Sequence, residues 1–292
     1  MQYKINIKLL AEICEVAGAP GHEQRVREIV LREVKSLVDE IKIDNMGNVV
    51  AIKKGKENKK VMIAAHMDEI GFIVTHIDDN GFIYFHTLGG FDPKTLTAQR
   101  VIIHGKKDVI GVMGSKPIHL MNAADRAKVP TIKDYFIDTG RQKKELEKII
   151  SVGDTITRER ELIEMGDCLN CKSLDNRVSV FILIEMFREM KKKPNYDVYG
   201  VFTVQEEIGL RGARTSAFGV DPHTAIAVDV THATDCPTID KKQLVDIQLG
   251  LGPVLFRGPN MNPGVVQRLR DISSSHQIPS QLAAIGRGAS ND

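Results

Sequence analysis

The chain has 292 residues, 42% of them hydrophobic and 27% charged, enough for one large α/β domain with an insertion or for two modest domains. Its 40 basic and 38 acidic residues leave a formal charge of +2, which gives no footing for nucleic-acid binding, and basic stretches such as GKENKK read as solvated loops. The N-terminal segment is interrupted by Lys4, Lys8 and Glu12, and the longest later apolar run, VSVFILI, is too short to span a bilayer, so the expectation is a soluble, unexported protein with no membrane partner.

In chain order, NIKLLAEICEVAG and EQRVREIVLREVKSLVDE carry apolar residues at helical spacing on either side of the breaker GAPGH, predicting two opening helices. IKIDNMGNVVAIKKG then reads as a hairpin turning at Met46-Gly47-Asn48. KVMIAAH reads as a strand buried on both faces, with His66 at its carboxyl end. From about residue 72 to 162 short β segments broken by Gly, Pro and Asp take over, with RQKKELEKII as the one helical stretch. This pattern predicts a small β-barrel, 72–162, inserted into a main domain made of 1–71 and 163–292. Beyond it, DNRVSVFILIEMFREMKK predicts a helix with Asp175 at its start. YDVYGVFTV, TAIAVDV and QLGLGPVLF predict strands, and TSAFG and PGVVQRLRDISSSH belong to helices.

Polar residues fall at one place in this pattern. His66 follows VMIAA, Glu206 and Glu207 follow YGVFTVQ, and Asp229 follows TAIAV, each at the carboxyl end of an apolar strand, where open α/β sheets bind ligands. Asp175, at a helix start, can face the same crevice. Singly, each has a plain structural reading: a polar strand end for His66, solvated surface for the Glu pair, a helix cap for Asp175. Together, one imidazole and several carboxylates suit zinc, cobalt or manganese, and a shared carboxylate would support two ions. Asp68 lies two residues beyond His66, near its ring if the extended backbone continues.

The cysteines, Cys14, Cys168, Cys171 and Cys236, are expected as reduced thiols in a cytoplasm. CLNC has C-x-x-C spacing, but no second Cys/His pair at zinc-finger spacing accompanies it, so packing is its first reading.

AAHMDEIGFIV, SLDNR, VQEEIGLRGA and AVDVTHATDCP, in this order and at these separations, resemble the dinuclear-metal aminopeptidases that include the glutamyl and deblocking aminopeptidases and the tetrahedral self-compartmentalising peptidases. The resemblance runs from the helices before GAPGHE to the terminal QLAAIGRGASND. It implies a mixed-sheet metallopeptidase domain sandwiched by helices, with the inserted barrel, and hydrolysis of N-terminal residues from short peptides. It implies two divalent ions, zinc or cobalt, with His66 and Asp229 on one ion, Glu207 on the other and Asp175 bridging. Glu206 takes the place of the catalytic base and Asp68 that of the acidic residue beside the first His ligand, where it would orient the ring. It also implies a homo-oligomer, from dimer to dodecamer.

Two further expectations stand beside these. Family members continue past GRGASND with another strand and a His completing the Glu207 side, whereas this sequence stops at Asp292. His223, His232 and His276 match no such position, so the expectation is an intact His66–Asp175–Asp229 half-site, a deficient Asp175–Glu207 half-site and little turnover. The alternatives are a glycoside hydrolase using the paired carboxylates, which leaves His66 and Asp175 without a task and lacks any Trp for sugar stacking, and a non-catalytic assembly protein. Substrate preference stays open; Arg257, in GLGPVLFRGPNMNPG, can pair with an acidic side chain or be a structural Arg.

Overall fold

The computed structural model describes residues 5–237, 239–241 and 245–286. The terminal GRGASND stretch beyond Gly286, on which the expectation of a missing ligand turns, lies outside them.

Helix α1, Ile7–Glu15, starts where the Asn6 side chain accepts the Leu9 N–H at 3.2 Å, and it buries Leu9, Leu10, Ile13 and Cys14 on one face. Helix α2, Gln24–Val34, buries Val26, Ile29, Val30 and Val34 at the same spacing. It stops before the apolar pattern does: Leu37 and Val38 pack on the core from the turn after the helix, where Leu37 N–H donates to the Val34 carbonyl at 2.9 Å, and strand β1, Glu40–Ile43, then pairs antiparallel with β2, Val49–Lys53, as the hairpin reading expects. Strand β3, Glu57–His66, follows.

The chain next forms β4 (Gly71–Ile77), β5 (Ile83–Leu88), β6 (Arg100–His104), β7 (Asp108–Ser115), the one-turn helix α3 (Ala123–Arg126), β8 (Tyr135–Asp138), the one-turn helix α4 (Lys143–Leu146) and β9 (Thr155–Arg158). The strands close into a barrel in the order β4-β5-β8-β7-β6-β9, which leaves no strand edge to cover. Phe72, Ile83, Val101, Ile103, Ile137 and Ile156 are buried in its core. RQKKELEKII is helical only over Lys143–Leu146: the Ile149 carbonyl accepts the Lys106 N–H at 2.8 Å, so this backbone bonds to the barrel, and Leu146 and Ile150 are buried there.

A small hairpin, β10 (Ile163–Met165) with β11 (Cys168–Asn170), leads to α5 (Leu174–Glu189), β12 (Tyr196–Thr203), α6 (Arg211–Val220) and β13 (Thr224–Ala227). The main sheet has the order β1-β2-β12-β3-β13; β3 runs parallel to β12 and β13, while β2 is antiparallel to β12, so the sheet is mixed. Helices α1, α2 and α5 bury Ile13, Val30, Val180, Ile184 and Phe187 with Val49, Ala65 and Phe202 of the strands. Each such Val, Ile or Phe side chain, fully buried, contributes roughly 1.5–3 kcal/mol. Gly200 permits this packing, since a Cβ there would collide with the Phe187 ring.

Residues up to 229 and those from 230 onward form two compact units. In the second, β14 (Val254–Arg257) and β15 (Gln281–Ala284) pair in parallel around α7 (Pro263–Ser275), whose first N–H groups are accepted by the Asn262 side chain. Of QLGLGPVLF only the last three residues are strand, because Gly250 and Gly252 turn the chain at φ of +82° and +90°.

Candidate metal centre

Thr203 pairs with His66 in the parallel register of β12 and β3, so the two strands end together and the residues after them open at one edge of the sheet. The His66 side chain is 1% exposed. Its Nε2 lies 3.2 Å from Asp175 Oδ1, 3.9 Å from Glu206 Oε2 and 3.9 Å from Asp229 Oδ1. Single ligand atoms of His66, Asp175 and Asp229 fall within 4.8 Å of one another, and so do those of His66, Glu206 and Glu207. Residues from β3, the start of α5, the end of β12 and the end of β13 thus converge on one imidazole.

Asp175 is not a helix cap in this fold. It has extended dihedrals, φ −81° and ψ 108°, and its side chain is 61% exposed, so it points away from the helix barrel into the crevice. The next residue anchors it: Asn176 Nδ2 donates to the Val228 carbonyl at 2.9 Å, beside Asp229. The expectation for Asp68 is refined. Its carboxylate lies 3.4 Å from His66 Nδ1, but its backbone carbonyl is nearer at 3.1 Å, and an Nδ1–H donated there leaves Nε2 to face the carboxylates.

The segment carrying Glu206 and Glu207 is held by amides that point inward. Val204 N–H donates to Asn48 Oδ1 at 2.9 Å, Gln205 N–H to Glu23 Oε1 at 3.1 Å, Glu206 N–H to Asp68 Oδ1 at 3.0 Å and Glu207 N–H to Asp68 Oδ2 at 3.0 Å. Gln205 turns the chain at φ +57°. Glu23 and Asn48 were not among the sequence candidates: Glu23 reads as the polar start of α2 and Asn48 as a hairpin residue, and only the fold brings them to the bend.

Burial and the Asp175 charge push the Glu207 carboxyl up to about 8, and burial, reinforced by the Asp68 charge, pushes Glu23 up to about 7. Crowded carboxyls whose protons are this hard to remove form a site that gains from a cation. Glu69, 1% exposed, instead faces positive charge: Lys172 Nζ donates to its Oε1, Arg177 lies 3.7 Å away, and Gly18 N–H donates to the same oxygen at 3.2 Å. Lys172 and Arg177 flank Asp175 in sequence, so this buried ion cluster ties the residue to the end of α1 and the turn after β3. The C-x-x-C pair does not join the centre: Cys168 is exposed, and Cys171, pushed down to about 7 by a hydrogen bond from the Cys14 thiol, packs on α1.

A mixed sheet with an inserted barrel carries, at its strand ends, an imidazole meeting four carboxylates, a donor set of the kind that holds divalent metal in metallohydrolases. The chain belongs to the M42 glutamyl aminopeptidase family, whose profile matches residues 47–292, and is a metal-dependent aminopeptidase. It is 36% identical over 296 residues to a lysyl aminopeptidase of Pyrococcus furiosus, covering 99% of this chain and 84% of that protein. Among solved structures, the aminopeptidase APDkam598 from Desulfurococcus kamchatkensis superposes with a TM-score of 0.90 at 40% identity, over 97% of this chain and 80% of that one. The TET1 peptidase of Pyrococcus horikoshii, which can assemble into a tetrahedron or a large octahedral shell, superposes with a TM-score of 0.85 at 29% identity, over 97% and 85% of the two chains.

Proposed function

We propose that this chain removes N-terminal residues from short peptides, with His66, Asp175 and Asp229 holding one divalent ion and Glu207 holding a second through the shared Asp175. The observation that carries this is the His66 Nε2 atom with carboxylate oxygens of Asp175, Glu206 and Asp229 at 3.2 to 3.9 Å. One nitrogen and several oxygens form a borderline donor set suited to zinc or cobalt. The His66 side is the tighter one: His66, Asp175 and Asp229 form one complete group of ligand atoms, whereas Glu207 is grouped with His66 and Glu206, of which Glu206 is kept for proton transfer.

Bound ions would supply Lewis acidity for the scissile carbonyl and lower the pKa of water. The protein's own part is proton traffic and orientation. Glu206, held by its backbone N–H on Asp68, accepts the proton of the attacking water and returns it to the leaving amine. Glu207, whose backbone N–H is fixed on the other Asp68 oxygen, serves as ligand. The cluster's unneutralised carboxylate charge receives the substrate's free α-ammonium group, which restricts cleavage to the N-terminus. A glycoside hydrolase would need two carboxyls flanking a bond, not four collected on an imidazole.

Residues 72–162 act as an inserted domain, and the chain works as a homo-oligomer, as its TET1 relative does. No helix among the described residues is long and apolar enough to cross a membrane. Four free cysteines suit the reducing cytoplasm. Calorimetric titration of the metal-stripped protein with zinc tests the ligand set: His66→Ala and Asp175→Asn should each weaken the tighter site at least tenfold, and unchanged affinity in both would sink it. Aminoacyl-coumarin amides spanning acidic, basic and apolar residues would identify the preferred N-terminus.

A further inference from the structure

We propose that Glu23 is a positioning residue for Glu206, acting through the backbone of Gln205. The proposal rests on Glu206 being the proton-transferring group. Glu23 occupies the N-cap position of α2, yet its side chain makes no capping hydrogen bond to that helix. The residue is 2% exposed, and its Oε1 accepts the Gly21 N–H at 2.7 Å and the Gln205 N–H at 3.1 Å, from a residue 182 positions along the chain. A carboxylate buried this deeply is costly unless it is answered by donors, and here both donors are backbone amides, one of them next to Glu206.

Gln205 sits in the left-handed region, which a non-glycine side chain enters only when the surroundings fix it. The fixing comes from both sides: Asn48 takes the amide before it and Asp68 the two after it, so Glu23 completes an unbroken run of received N–H groups from Val204 to Glu207. Without the Glu23 acceptor, the Gln205 peptide is free to rotate out of the left-handed conformation, and that rotation swings the Glu206 side chain away from His66. Glu23 is not in either group of ligand atoms around His66, so its effect passes through the backbone and not through metal ligation.

Amide hydrogen exchange and kinetics on the 292-residue chain test this together. In Glu23→Ala, peptides covering 204–208 should exchange at least tenfold faster while β3 and the body of β12 keep their protection. In the same variant kcat should fall about 10- to 100-fold, with KM within about twofold and zinc content unchanged. Glu23→Gln keeps the acceptor oxygen and should restore kcat to within about threefold of the parent and the exchange to the parent rate. If Glu23→Ala does not fold, Glu23→Asp, which withdraws the carboxylate by one methylene, carries the same expectations. Unchanged exchange over 204–208, or equal loss of kcat in the Ala and Gln variants, would overturn the proposal. Full turnover in Glu206→Gln would instead remove the role of Glu206 on which it stands, an outcome the exchange measurement distinguishes because it does not depend on turnover.

Discussion

The carboxylate of Asp68 reaches 138 residues along the chain to accept the backbone N–H of Glu206 at 3.0 Å. Its other oxygen takes Glu207 N–H, so one side chain fixes the backbone of both members of the Glu pair. Asp68→Asn offers one acceptor oxygen for two amides and turns an NH2 toward the other, leaving a buried N–H unmet at about 1–3 kcal/mol. Activity or metal affinity should drop about 10- to 100-fold. A variant within twofold of the parent in kcat/KM and in zinc affinity would show that this bridge does not set the geometry.

Glu206→Gln and Asp175→Asn should fail in different ways. The first removes the proton acceptor but no ligand, so kcat should fall by about 10²- to 10⁴-fold with metal content kept. The second weakens the shared carboxylate, so zinc affinity and turnover should fall together. Dialysis against zinc followed by metal analysis checks both; equal metal loss in the two variants would mean that base and ligand are assigned the wrong way round.

The strand-end residues were legible in the sequence because each terminates an apolar run, and a polar group there must be solvated or engaged. The barrel was legible as a change from long periodic segments to short ones broken by Gly and Pro. Glu23 and Asn48 were not, since a Glu before a helix and an Asn in a hairpin have ordinary local roles, and their partners lie more than 150 residues away. Asp175 shows the same limit: its position at the start of α5 was readable, while its extended backbone, which aims the carboxylate into the crevice, depends on anchors such as Asn176 on Val228. The shortened α4 and β14 were missed where long-range bonds or left-handed glycines override apolar pattern.

Glu69 is the anion for two buried cations. Its replacement by Ala leaves Lys172, 2% exposed, and Arg177, 0% exposed, without that partner, a loss of roughly 3–5 kcal/mol in unfolding free energy. Urea unfolding measures it. A change under about 1 kcal/mol would show that backbone carbonyls, such as the Ile13 oxygen that accepts from Arg177 at 2.6 Å, already satisfy the cations.

Between α2 and the barrel, Arg25 donates to both Asp108 oxygens at 2.7 and 2.8 Å, which, with His104, holds the Asp108 carboxyl down at about 2. A depressed carboxylate stabilises the fold fully above its ordinary value near 3.8 and loses that contribution as pH falls toward 2. Both side chains are 40–50% exposed, so the screened pair contributes no more than about 1 kcal/mol. Asp108→Asn should therefore be slightly less stable than the parent at pH 5, and the two should converge near pH 2; a difference independent of pH would contradict the pairing.

The most direct measurement of the central claim is release of free amino acids from unblocked short peptides by protein stripped with a chelator and then given zinc or cobalt stepwise. The account predicts no release from the stripped protein, recovery that follows occupancy of the His66 centre, and no release from the same peptides acetylated at the N-terminus. Undiminished release from fully stripped protein would contradict it.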